Sequence, residues 1–259
     1  MTERFTFDMI GLYTILHKEV TRFVRIWTQT LLPSVINITL YFVIFGSLMG
    51  NRIGDLNGFR YIDYIVPGLI MMSVITATYA NVVFSFFGAK FQRNIEEMLV
   101  SPLPNYIILW GFVLGGIARG LLVGVLVSLT SLFFTQLQIA HLFLTISVGV
   151  ITAILFALAG FINAIFSRNF DDINIVPTFV LNPLTYLGGV FYSIDLLPEI
   201  WQKITYINPI FYLVNAFRYG MLGYSDVDVS IALSIMIGLS VVLYITCIYL
   251  LRKGVGIRS

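Results

Sequence analysis

The sequence predicts an all-α integral membrane protein. Six transmembrane helices follow an N-terminal interfacial helix, and re-entrant helices separate the fifth from the sixth. Three observations carry this prediction. Hydrophobic residues make up 58% of the 259-residue chain and charged residues 11%, whereas soluble domains hold about 25% charged residues. Apolar runs of about 20 residues, the length a bilayer core requires, recur along the chain. Finally, the region 182–223 is apolar yet interrupted by Pro183, Gly188, Gly189, Pro198 and Pro209. Irregular backbone at membrane depth survives only where protein or a watery cavity satisfies its polar groups, so this region reads as a helix that ends and turns back.

Residues 1–30 form the interfacial helix. Met9, Leu12, Leu16, Val20, Phe23 and Trp27 recur at three- and four-residue spacing, and Lys18, Arg22 and Arg25 fill another face. That pattern suits a helix lying in the membrane interface; the alternative is a helix packed on its own protein. No compact apolar core precedes a small-residue cleavage site, so the first span is expected to be retained. The six-span bundle occupies 31–251, with spans at about 31–50, 62–86, 106–134, 142–166, 173–193 and 229–251.

Orientation follows from the basic residues in the loops. Arg4, Lys18, Arg22, Arg25, Lys90, Arg93, Arg168, Arg252, Lys253 and Arg258 fall on one side. Arg52, Arg60, Lys203 and Arg218 fall on the other. The richer side is the cytoplasm, which places both termini there. A net charge of +2 gives a nucleic-acid partner no electrostatic support. Cys247 stands alone in an apolar run and reads as a buried hydrophobe.

The loop after the second span is the most polar internal segment. Phe91, Ile95, Met98 and Leu99 share one side of a short helix, Arg93, Glu96 and Glu97 lie elsewhere, and Pro102 and Pro104 end it. Such a helix suits docking on a soluble partner, or it serves as a connector touching headgroups. The next loop on that side, 167–172, is short, and Asp171 is placed to cap the helix that follows. In the third span Gly111, Gly115, Gly116, Gly120 and Gly124 include a small-residue stripe with four-residue spacing. It lets another helix approach closely, within the chain by default and between subunits as the alternative. Arg119 in the same span is an intramembrane charge that snorkels to headgroups, pairs with a neighbouring helix or serves function. Asn37, Asn81, Asn163, Asn174, Asn182 and Asn215 suit interhelical amide bonds.

No catalytic, cofactor-binding or metal-ligating residues are expected. His17 and His141 fall near opposite faces, and the sequence holds no H-E-x-x-H, no G-x-S-x-G and no phosphate-binding loop. Energy for uphill transport must come from elsewhere.

One set of residues carries a family resemblance: Leu181, Leu184, Leu187, Gly188 and Val190, then Leu197 and Pro198, then Pro209, Ile210, Tyr212 and Arg218. In order and spacing they resemble the C-terminal pattern of the membrane subunits of ABC-2 type exporters. Val66-Pro67-Gly68-Leu69-Ile70 and Phe170-Asp171-Asp172 are similar to stretches in the drug, polysaccharide and nodulation-signal branches.

The resemblance extends over nearly the whole chain. It implies a multi-pass permease of the bacterial inner membrane that forms the substrate path and is not itself an enzyme. It implies a coupling helix seated on an ATPase through Phe91, Arg93, Ile95, Glu96, Glu97 and Leu99, with Arg168, Asp171 and Asp172 as a second contact. The implied assembly holds two permeases, as a homodimer, and two ATPase subunits, which carry the ATP and Mg; this chain binds no cofactor. Two other classes make different demands. A secondary transporter driven by an ion gradient predicts paired membrane carboxylates or inverted repeats. Asp55, Asp63, Asp195, Glu199, Asp226 and Asp228 instead fall on the outer side. An intramembrane enzyme needs a nucleophile–base pair or metal ligands at one depth.

Overall fold

The computed structural model describes residues 2–50 and 54–256, and leaves the side chains of 2–5, 47–49 and Leu99 outside the description. Arg52 and Arg258, and the side chain of Arg4, from the charge partition therefore lie outside the described residues.

Helix α1 runs Thr2–Arg25, α2 Trp27–Thr30 and α3 Leu32–Tyr41, the last continuing as a π-helical stretch Phe42–Met49. A two-stranded hairpin follows, β1 Asp55–Leu56 and β2 Phe59–Arg60, with Asp55 opposite Arg60. Its turn is Asn57-Gly58, both at positive φ (51° and 84°), as a tight type I′ hairpin turn requires. Then come α4 Tyr61–Phe91, α5 Asn94–Val100, α6 Asn105–Ser131 and α7 Leu142–Phe166. The irregular region holds α8 Asp172–Val176, a π-helical stretch Pro177–Leu181, α9 Asn182–Tyr186, a 3₁₀ turn Ile194–Leu196, α10 Glu199–Ile207 and α11 Pro209–Leu222. Helix α12, Val229–Lys253, ends at Gly254 in the left-handed conformation (φ 66°).

Five helices among the described residues are long and apolar enough to cross a bilayer: Trp27–Gly46, Tyr61–Phe91, Asn105–Ser131, Leu142–Phe166 and Val229–Lys253. The expected fifth span, 173–193, takes a different form. It is a fifteen-residue helical run through α8, the π stretch and α9, rising about 22 Å. Pro177 and Pro183 explain the change of helix type. Each lacks an N–H, so the ladder shifts, and the Asn182 N–H bonds to the Pro177 carbonyl five residues back. The run stops at Leu187, and Gly189 turns the chain at φ 71°.

Helix α4 is the centre of the bundle, and α6 and α7 pack along it. The glycine stripe of α6 makes this approach possible. Gly116 faces Val82, Gly120 faces Thr78 and Gly124 faces Val74, so the stripe serves packing within the chain. Gly160 of α7 meets the Tyr79 carbonyl from the other side.

The N-terminal helix packs on its own protein. Ile15, Glu19 and Phe23, four residues apart, are buried, and Ile15 and Glu19 fit against Gly111 and Gly115 of α6. Of the expected apolar stripe, Phe23 is buried while Met9 and Trp27 stay exposed. The helix thus spends one face on α6 and keeps an apolar flank outward, with Phe7, Ile10, Tyr13 and Val24 beside Met9. The reason lies in α6: two glycines one turn apart leave a trough that a neighbouring helix fills.

A backbone contact fixes the N-terminal part of α4. A Cβ at Gly68 would lie 2.7 Å from the Val190 carbonyl oxygen and 2.8 Å from its Cα. Gly68→Ala is therefore expected to destabilise the fold by about 1–3 kcal/mol. Gly238 of α12 has open space around it, so Gly238→Ala is expected to be neutral or stabilising by up to about 1 kcal/mol. Unfolding midpoints in one detergent rank the two variants; equal midpoints contradict the contact.

Candidate functional site

The two loops expected to share a role at the cytoplasmic face meet in the structure. At the end of α4 the Lys90 Nζ donates to the carbonyls of Ile165 (2.6 Å) and Ser167 (2.7 Å), capping the C-terminus of α7 with a cation. Beside it the rings of Phe87 and Phe91 close on Phe170, with centroids 5.0 and 5.1 Å away. Phe91 and Phe170 remain exposed, at 62% and 48%. The α4 end and the 167–172 loop are therefore joined, and α5 follows directly from that α4 end.

Within that region the side chains divide differently from the expected helix face. Phe91 closes α4, and the chain then turns at Arg93, a non-glycine residue in the left-handed conformation (φ 61°). Helix α5 starts only at Asn94. The turn separates Phe91 from the face of Ile95 and Met98. Ile95 is the buried anchor, Met98 is half-buried, and Arg93, Glu96 and Glu97 are exposed. The side chain of Leu99 lies outside the described residues. Glu96 and Glu97 sit in the first turn of α5, where the helix dipole favours negative charge. Val100, which the sequence pattern did not single out, stands 87% exposed at its end.

In the second loop the cap differs from the expected one. Asp171 makes no side-chain cap bond. Asn169 Oδ1 instead accepts from the N–H groups of Asp171 (3.0 Å) and Asp172 (2.8 Å). Asp172 Oδ2 accepts from the Arg168 N–H at 2.9 Å. The Asx geometry starting one step earlier lets a single amide oxygen serve two donors, leaving Asp171 and Arg168 free to face outward as exposed charges.

A second constellation sits at the opposite end of α4. Arg218 of α11 has no exposed surface, although its charge was counted with the outer loop. Its Nη2 donates to the Gly189 carbonyl at 2.6 Å, its Nη1 to Asn215 Oδ1 at 3.3 Å and its Nε to the Tyr64 carbonyl at 3.4 Å. The guanidinium carbon lies 4.1 Å from the Tyr64 ring centre. Its counter-charge is Asp226, 3.8 Å from Nη1 and also buried. Tyr224 (2.8 Å) and Ser193 (3.2 Å) donate to Asp226 Oδ1. Asn57 of the hairpin turn donates to the Tyr224 hydroxyl at 2.7 Å. Burial, then the hydrogen bond and charge of Asp226, push the Tyr224 phenol well above its ordinary range.

The remaining members of the C-terminal pattern build the same turn. Leu181, Val190 and Ile210 are buried, Leu184 packs against the core, and Leu187 closes α9. Ile210 lies where a Cβ on Gly188 would point, 2.8 Å away. Pro198 opens α10 one turn residue after Leu197, and Pro209 opens α11, positions where a missing N–H costs nothing. The Tyr212 hydroxyl donates to the Tyr206 carbonyl at 2.8 Å.

Arg119 reaches a neighbouring helix. Its Nη2 donates to the Thr30 carbonyl at 3.0 Å, where α2 ends. Nearby lies a cluster the sequence reading missed. Glu19 is 1% exposed, accepts from Ser85 Oγ (2.5 Å) and pairs with Arg22 (2.9 Å), which also donates to Asn81 Oδ1 (2.9 Å). The signal was an acid on the helical spacing of Ile15 and Phe23.

A buried charge left without its partner costs about 3–5 kcal/mol. Arg218→Met is expected to lower the unfolding midpoint by that amount, and Arg218→Met with Asp226→Asn by clearly less than the sum of the single changes. Additive losses in a double-mutant cycle contradict the pairing.

Residues 11–222 match the family described as ABC-2 type transporter. The chain is 55% identical over 250 residues to the inner membrane transport permease YadH of Escherichia coli (strain K12), covering 96% of this chain and 98% of that protein. It is 24% identical over 232 residues to nodulation protein J of Rhizobium leguminosarum bv. viciae, covering 88% and 90%. With nodulation protein J of Rhizobium meliloti (strain 1021) it shares 23% over 232 residues, 88% of each. The matched stretch contains both the surface around α5 and the Arg218 turn, and the chain belongs to the ABC-2 type transporter family as a multi-pass membrane permease.

Proposed function

We propose that this permease works as a pair of copies with two separate ATPase subunits, which carry the ATP and Mg and drive export. The observation that carries the reading is the joining of the α4 end, from which the chain turns into α5, to the 167–172 loop through Phe87, Phe91 and Phe170. A soluble domain pressing on that surface contacts α4 and α7 together. Ile95 anchors α5 in the bundle, Lys90 ties α4 to α7, and a displacement there passes to the spans as a rigid-body shift. Arg93, Glu96, Glu97, Arg168 and Asp171 supply exposed charges for the partner; Leu99 and Asp172 complete the proposed contact. Buried Glu19 is already paired with Arg22, so it does not favour transport driven by an ion gradient.

The same proposal includes six crossings, cytoplasmic termini and a re-entrant α10–α11. Parity supports it. Lys90, Ile165 and Ser167 share one end of the bundle, and Gly256 packs on the Ile165 carbonyl at that end. Gly68, Gly189, Val190 and Asp226 share the other. The run from Asp172 to Tyr186 carries the chain between these ends, although it is short. Helix α10 leaves Ile200, Trp201, Ile204 and Ile207 exposed, a face suited to the membrane interface, where Trp anchors.

Charge reversal of Glu96 and Glu97 to Lys is expected to reduce permease-stimulated ATP hydrolysis at least tenfold while leaving membrane insertion intact. Co-purification should recover an ATPase with a phosphate-binding loop. Undiminished stimulation in the double variant, measured in lipid vesicles, contradicts the proposal.

A further inference from the structure

Helix α12 is weakly enclosed: 17% of its apolar window is buried, as in Trp27–Gly46, against 78% for α4. It packs mainly on α7 and α11 and touches α6 less extensively, leaving a cleft between α6 and α12 whose upper part is floored by α7. The upper part is an apolar cavity of about 270 Å³ lined by Trp110, Ile151, Ile154, Ile237, Ser240 and Tyr244. The lower part is a cavity of about 770 Å³ with Asn105, Tyr106, Tyr249 and Arg252 in its wall. Tyr244 lines both, its ring 6.0 Å from that of Trp110, so the two parts adjoin along α12.

The cleft is apolar at one end and cationic at the other. Among the described lining residues Arg252 carries the only charge, and its side chain is exposed. Lys253 adds a second cation at the same rim, with Nζ 4.7 Å from the Tyr249 ring centre. The nearby Asp8 carboxylate is engaged by the Tyr106 hydroxyl at 3.1 Å. From Ile237 to Arg252 the helix rises about 22 Å. Half of a bilayer including headgroups is about 20–22 Å thick. The cleft therefore has the length of one lipid and the charge order of an anionic one.

We propose that the cleft binds one anionic glycerophospholipid of the inner leaflet, with its phosphate at Arg252 and an acyl chain beside Trp110 and Ile237. The lipid fills the cleft between α6 and α12 and adds to the packing of α12. The inference rests on the proposed cytoplasmic placement of the C-terminus. It does not involve the ATPase, so its failure leaves the coupling reading untouched.

Trp110 is the reporter. In the Trp27→Phe/Trp201→Phe protein it is the sole tryptophan. In phosphatidylcholine nanodiscs, brominated-chain phosphatidylglycerol is expected to reach half-maximal quenching at about one-fifth the mole fraction of brominated phosphatidylcholine, the preference one basic side chain confers. Arg252→Gln brings the two lipids within about twofold. Arg25→Gln, an exposed cation on α1 outside the cleft, leaves the fivefold preference. Ser240→Phe narrows the apolar end and lowers quenching by both lipids. Equal quenching by the two lipids in the parent overturns the proposal, as does a loss of preference in Arg25→Gln matching that in Arg252→Gln. Unchanged quenching in Ser240→Phe, or a non-lipid amphiphile found by mass spectrometry to protect Trp110, overturns it too.

Discussion

A guanidinium with no exposed surface holds the irregular half of this membrane protein in shape. Arg218 satisfies the carbonyls of Gly189 and Tyr64, stacks on the Tyr64 ring and faces Asp226. Backbone that leaves a helix inside a bilayer must find partners within the protein, and here one side chain serves the turn after α9 and the start of α4 together. Without it, a carbonyl at Gly189 and a carboxylate at Asp226 would be buried without adequate partners. The close approach of Gly68 to Val190 depends on the same turn, and so does the seating of α11 against α4, α7 and α12.

Helix α4 connects this knot to the surface at its C-terminal end. Its far end carries Lys90 and Phe87, which bind α7 and the loop after it. Between the ends it is clasped by glycines of α6 and α7. A helix fixed so closely along its length moves as a unit with its neighbours, because close-packed interfaces transmit displacement rather than absorb it. Helix α12 is packed on fewer sides and is held less closely.

Much of this was legible in the sequence, and the failures have identifiable causes. Hydrophobic length located the spans, and the prolines and glycines located the turn, since both follow from backbone chemistry alone. The glycine stripe correctly implied close packing inside the chain. The form of the fifth span was not legible, because apolar length cannot show that Pro177 and Pro183 shift the hydrogen-bond ladder. The packing of α1 was hidden because Glu19 looks like a surface acid until Gly115 and Ser85 are brought to it by the fold. Asp226 was counted as a loop acid for the same reason: its partner is a tertiary one. The coupling face was blurred by Arg93, whose left-handed turn no propensity favours. Asn169 displaced Asp171 as the cap because one amide oxygen reaches both donors.

The central claim is that α5 and the 167–172 loop form one seat for an ATPase. Photo-crosslinking from two positions tests it most directly, with a benzophenone amino acid placed singly at Glu97 and at Phe170 in membranes containing the whole assembly. The account predicts that both positions capture the same phosphate-loop ATPase, and that a probe at exposed Ile207 on α10 does not. Capture of lipid alone from Glu97 and Phe170, or of the ATPase from only one of them, would contradict it.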